Sequence, residues 1–189
     1  MRVTKGFTVL GFVCVIVLFV FAQENKKEVF KYMGSGGCKA CHMTKKSGAA
    51  YKIWQNSKHA QAYAALASEE AKAIAKEKNI EDPQKSEECL SCHVTAFGVE
   101  AERLGAKYKI EEGVSCEACH GPGSEYKSKK VMEGITAGTI DPASVGLIKS
   151  KEEDCKRCHN EKSPTFKEFV FEKRYAQIAH ERPEKTSKK

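Results

Sequence analysis

The sequence predicts a mostly α-helical chain with little or no sheet, its helices and loops wrapped around bound groups rather than around a large apolar core. Three observations carry that expectation. The motif Cys-x-x-Cys-His occurs four times, beginning at Cys38, Cys89, Cys116 and Cys155, and takes eight of the nine cysteines and four of the six histidines. Without residues 1–22 the chain leaves about 42 residues for each motif, too few to build an ordinary core beside each one. Aromatic residues make up only 8% of the chain, so large side chains do not supply the interior, while abundant alanine lets flat rings approach the backbone.

Two thiols three residues apart can each form a thioether to one porphyrin, and the histidine after the second becomes the proximal ligand of its iron. Zinc sites also use Cys-x-x-Cys pairs, and eight cysteines of an exported chain could form four disulfides. Neither needs a histidine directly after every pair. With 6 histidines in 189 residues, four such placements by chance come to roughly one in a million. Cys38, Cys41, Cys89, Cys92, Cys116, Cys119, Cys155 and Cys158 therefore read as thioether positions for four covalently bound haem c groups, with His42, His93, His120 and His159 as proximal ligands. The expected architecture is a small multihaem cytochrome c fold, with helices and loops around four closely packed haems.

At the amino terminus Arg2 and Lys5 precede the apolar run Phe7 to Ala22, and the polar Gln23-Glu24-Asn25-Lys26-Lys27 follows. This predicts a secretory signal over 1–22, with Val20-Phe21-Ala22 as the cleavage site. The run falls short of the roughly 20 residues a spanning helix needs, so cleavage is expected over retention as an anchor. Left uncleaved, residues 7–22 would associate with the membrane. Cys14, within the run, reads as an apolar packing residue that leaves with the signal. Residues 23–182 are expected to form one tetrahaem domain, and the basic tail 183–189 to be disordered. Export to the periplasm suits c-type haem, which is attached outside the cytoplasmic membrane.

Net charge is +7, a value that by itself would suggest an anionic partner. Without Arg2 and Lys5 the excess falls to +5. Eight haem propionates and four ferric centres bring the oxidised holoprotein to about +1 and the reduced form to about −3. Nucleic acid is thus not an expected partner.

Along the chain, Met33-Gly34-Ser35-Gly36-Gly37 reads as a flexible approach to the first motif. A helical stretch is expected from Ala49 to Asn79, with Ser57 as an internal cap and Ser68-Glu69-Glu70 as a second start, broken at Asp82-Pro83. Residues 94–115 read as a loop or short hairpin, and Gly121-Pro122-Gly123 as a turn. Lys127 to Met132 is weakly helical. Ser163-Pro164 is expected to open a helix from Thr165 to His180, with Phe171, Tyr175 and Ile178 on one face and Phe169, Ala176 and His180 on another.

Each haem iron accepts two axial ligands, and only His59 and His180 remain beyond the motif histidines. His59, among small residues in Trp54-Gln-Asn-Ser57-Lys-His59-Ala60, and His180, at the end of the last apolar segment, are the candidate distal ligands. Six histidines allow no more than two bis-histidine haems per chain. Two of the four haems must therefore have another sixth ligand or none. Met132, Lys130 and Tyr126 are candidates, as is an open position, with Met33 and Met43 as weaker alternatives.

Several stretches resemble the tetrahaem cytochrome c-554 family: Trp54-x-x-Ser57-x-His59-Ala60, Cys92-His93-Val-x-x-Phe97-Gly98, and Gly113-Val-x-Cys116-Glu-x-Cys119-His120-Gly121-Pro122-Gly123. The resemblance covers most of the chain beyond residue 22. It implies a mostly helical fold with haems in close, partly stacked pairs, and distal roles for His59 and His180. It also implies a five-coordinate, high-spin haem at Cys89, Cys92 and His93. In that family the first haem takes its sixth ligand from a histidine shortly after the Gly-Pro-Gly turn. Here Ser124 to Met132 contains none, and Lys130 falls near that position.

The function these features favour is an exported electron carrier between a donor and an acceptor redox protein, rather than an enzyme. Four redox centres in one small domain leave little chain for a substrate pocket. The alternative is redox catalysis on nitric oxide, hydroxylamine or peroxide at an open-coordinate haem. A third reading is a subunit docked to a membrane quinol dehydrogenase. No catalytic triad, phosphate-binding glycine loop or paired acid/base carboxylates are recognisable, and Trp54 reads as a packing residue.

Overall fold

In the computed structural model, which describes residues 29–180, short helices succeed one another along the chain. They are α1 (Gly36–His42), α2 (Ala50–Gln55), α3 (Ala62–Ala65), α4 (Glu69–Glu77), α5 (Glu87–His93), α6 (Cys116–His120), α7 (Lys129–Thr136), α8 (Glu152–Lys156) and α9 (Phe171–Tyr175). Four 3-10 turns, at Lys45–Ser47, Ala101–Arg103, Ile110–Glu112 and Ala143–Val145, lie between them. Among the described residues the only β pairing is an isolated parallel bridge between Tyr32 and Leu104. The described residues are therefore mostly helical without a sheet, as the sequence predicts. The expected signal at 1–22 lies outside the described residues, as does the tail 183–189.

The helices are short because turn chemistry interrupts them. The stretch expected to be helical from Ala49 to Asn79 is divided in three. Ala49 adopts a left-handed conformation (φ 51°) before α2. At 56–61 the chain turns: Ser57 Oγ donates to Trp54 O (2.7 Å) and receives the Ala60 N–H (3.4 Å). His59 thus stands in a turn and not within a helix. Ser68 starts α4 by accepting the Ala71 N–H at 3.1 Å, with Glu69 and Glu70 placed favourably at the positive end of the helix. Asn79, also left-handed (φ 58°), stops it three residues before Asp82-Pro83.

Residues 94–115 form the expected loop, with two 3-10 turns and no hairpin, and Leu104 makes its one β bridge to Tyr32. One further expectation changes. The helix expected from Thr165 to His180 is only α9, since 166–170 are not helical and Val170 is extended (φ −95°, ψ 107°). That extension lets Phe169 stack on His159, with ring centroids 4.8 Å apart and planes at 16°. The contact outweighs the 3.6-residue periodicity that suggested a longer helix.

Buried apolar residues are few: Leu66, Ala75, Leu90, Val94 and Tyr126 among those described. Leu66, Leu90 and Val94 make one cluster, with Tyr63, Cys89 and Ile110 packed on it. This joins α3 to α5 and is far smaller than a chain of this length needs to be stable by apolar burial alone. Among the described residues no helix is long and apolar enough to cross a membrane.

Candidate functional site

In α1, α5 and α6 the whole Cys-x-x-Cys-His motif is helical. Positions i, i+3 and i+4 lie on one helix face, so the two sulfurs and the imidazole point the same way. The fourth motif differs: Cys155 is in α8, but the helix ends at Lys156 and leaves Cys158 and His159 in a turn. The Asp154 carboxylate accepts the Lys151 N–H at 2.9 Å and fixes the start of α8. None of the eight motif cysteines is in a disulfide. No cluster of three or more His, Cys, Asp or Glu side chains suited to a metal ion occurs among the described residues.

The motifs meet in alternating order. Cys38 of the first and Cys116 of the third lie beside each other, and their interaction raises the Cys38 thiol well above its usual range and lowers Cys116. Cys158 of the fourth is pushed up to about 12, first by burial and then by the neighbouring Cys92 of the second. Sulfurs far apart in sequence thus face each other across two junctions.

The histidines also pair. His59 stands beside His159 with ring centroids 6.0 Å apart, and His120 beside His180 at 5.7 Å. Two imidazoles bound on opposite sides of one iron, each through a metal–nitrogen bond of about 2 Å, would have centroids about 6 Å apart. Both pairs fit that requirement, each joining a motif histidine to one of the two spare ones. His180 Nδ1 is hydrogen-bonded to Ile178 O at 3.0 Å, which leaves Nε2 for a metal. Burial lowers the pKa of His59 first, with the His159 charge adding to it, and burial and then Arg174 do the same for His159. His120 is lowered by burial and then by His180. Burial thus favours the neutral imidazole that a metal requires.

His93 and His42 have other surroundings. His93 Nδ1 is hydrogen-bonded to Ala62 O at 2.7 Å, so the ring is held with its other nitrogen available. His42 lies close enough to His120 for its charge to lower that group. Of the alternative sixth ligands, Tyr126 is buried and its hydroxyl donates to Gly121 O at 2.7 Å. On α7, Lys130 is exposed and Met132 half-buried. Met43 is exposed, and Met33 packs with its sulfur against Gly105.

A backbone frame positions His59. The Trp54 indole N–H donates to Val114 O (2.8 Å), and the Val114 N–H donates to His59 O (2.9 Å). Gly113 passes so close that a Cβ there would stand 2.7 Å from His59 O, at a φ of +63°. Thr95, two residues after His93, completes the frame: its hydroxyl donates to Gly113 O (3.2 Å) and accepts the Ser115 N–H (2.7 Å). One set of hydrogen bonds therefore ties the second motif, the His59 turn and the start of α6 together.

Motif spacing assigns no role of its own to Glu117, an x position of the third motif. It is 2% exposed, and its carboxylate accepts three backbone N–H groups, from Met33 (2.7 Å), Gly34 (2.8 Å) and Gly123 (2.7 Å). The available signal was an acidic residue between the two cysteines of the motif, beside a Gly-Pro-Gly turn.

A family model described as "Cytochrome c554 and c-prime" matches residues 37–121. Cytochrome c-554 of Nitrosomonas europaea is 33% identical to this chain over 144 residues, which are 68% of this chain and 57% of that protein. The chain thus aligns with less than two thirds of that relative's length. No solved structure matches the chain.

Proposed function

The chain belongs to the cytochrome c-554 family, and from that premise we propose that it is an exported tetrahaem c-type cytochrome carrying electrons between redox proteins outside the cytoplasmic membrane. Bound haem supplies a one-electron ferric/ferrous couple. In this reading the eight motif cysteines form the thioethers and His42, His93, His120 and His159 are the proximal ligands. His59 is the distal partner of His159, and His180 of His120. The observation that carries the assignment is the spacing of the two histidine pairs, at 6.0 and 5.7 Å.

The sparse apolar interior supports four haems as the main core material. The paired motifs, first with third and second with fourth, support electron passage over short gaps. Arg2, Lys5 and the apolar run to Ala22 support export. Haems with two histidine ligands tend to low potential, which suits carriage.

Stopped-flow mixing of the oxidised holoprotein with a reduced redox protein, or with membranes containing a quinol dehydrogenase, should reduce the haems within the dead time to seconds. No exchange with either class of donor would remove carriage as the function. In parallel, carbon monoxide added to the reduced protein reports on an accessible iron position. A spectral change accompanied by turnover of nitric oxide, hydroxylamine or peroxide would favour the catalytic reading instead.

A further inference from the structure

Glu117 sits where the first and third motifs meet. It lies on α6 next to Cys116, whose sulfur contacts Cys38 of α1. Its two oxygens take the N–H groups of Met33 and Gly34 from the approach to α1, and one of them also takes Gly123 from the turn after α6. The next N–H of that approach, Ser35, donates to Glu112 Oε2 at 2.7 Å. Three consecutive backbone donors thus converge on two carboxylates. All Glu117 receives is donors, as a carboxylate acts only as an acceptor. It has no cation among its hydrogen-bonding partners, so its charge is met by backbone dipoles rather than cancelled.

We propose that Glu117, reinforced by Glu112, is a built-in negative charge that lowers the reduction potential of the haems at the first and third motifs, besides clasping those motifs together. The proposal rests on the haem assignment above. Reduction adds one electron, delivered by the donor redox protein, to a ferric iron and removes one positive charge from the site. A fixed carboxylate beside that site favours the ferric state. Because Glu117 is 2% exposed, solvent screens it much less than a surface charge. The first and third haems then sit lower than the second and fourth for the same ligand type, which gives the array a direction.

The test compares Glu117→Gln, Glu112→Gln and, as a control, Glu69→Gln on the exposed face of α4, each as holoprotein. Mass spectrometry counts the haems and checks the haem assignment by itself. Spectroelectrochemical titration then reads the potentials. For Glu117→Gln we expect the ferric/ferrous ratio of part of the array to fall five- to tenfold at fixed potential, a rise of about 40 to 59 mV at 59 mV per tenfold change. Glu112→Gln should shift the same components in the same direction by less, and Glu69→Gln should shift none. Unchanged potentials in a fully haem-loaded Glu117→Gln protein would overturn the proposal. Should that variant not mature, unchanged potentials in Glu112→Gln would overturn it as well.

Discussion

Gly113 shows how much of the site hangs on single residues without ligating chemistry. Its φ of +63° suits glycine, and a Cβ there would meet His59 O at 2.7 Å and Ala62 N at 3.1 Å. Gly113→Ala is therefore expected to cost about 1–3 kcal/mol through backbone strain. A thermal melt followed by circular dichroism should show the lower midpoint, and under the proposed ligation the haem that takes His59 should change its low-spin signal. An unchanged melt would mean that the frame around His59 is slack. The motif cysteines and histidines were legible at this scale because their spacing is chemistry written directly in sequence. Glu117 and Thr95 were not, because their partners are backbone groups far away in the chain, and no pattern in the sequence announces a buried hydrogen bond.

Among the elements, α4 is the clearest case of local chemistry deciding structure. Ser68 accepts the Ala71 N–H at 3.1 Å, two glutamates follow it, and Lys76 lies in the last turn. Ser68→Ala should lower unfolding stability by about 1 kcal/mol, read as a shift in denaturant midpoint. Because α4 carries no motif residue, the haem spectrum should stay as it is. Capping of this kind is readable in sequence. The final segment is not: its periodicity suggested a helix over 165–180, yet 166–170 are not helical and Phe169 stacks on His159. A tertiary contact with a motif histidine decides that conformation, and sequence periodicity holds no record of it. The turn that holds His59 is a similar case, since alanines around it favour helix while Ser57, Val114 and Gly113 close a turn.

At the scale of the molecule, the mostly helical class, without a sheet among the described residues, followed from motif count and composition, since four motifs in so short a chain leave little else to pack. The pairing of the first motif with the third and the second with the fourth was not visible along the chain. Neighbours in sequence are not the neighbours in space: Cys38 meets Cys116, and Cys92 meets Cys158. The histidine count gave the upper limit of two bis-histidine haems, and the fold supplies one spare histidine to each of two motif histidines, at His120 and His159. In the proposed ligation these two pairs are axial ligand pairs, while the haems at His42 and His93 lack a second histidine. Low-temperature electron paramagnetic resonance of the oxidised holoprotein, beside His59→Ala and His180→Ala, decides whether that ligation holds. Each substitution should turn one low-spin bis-histidine haem per chain into a high-spin one and spare the other. Low-spin signals that stay unchanged in both variants would contradict it.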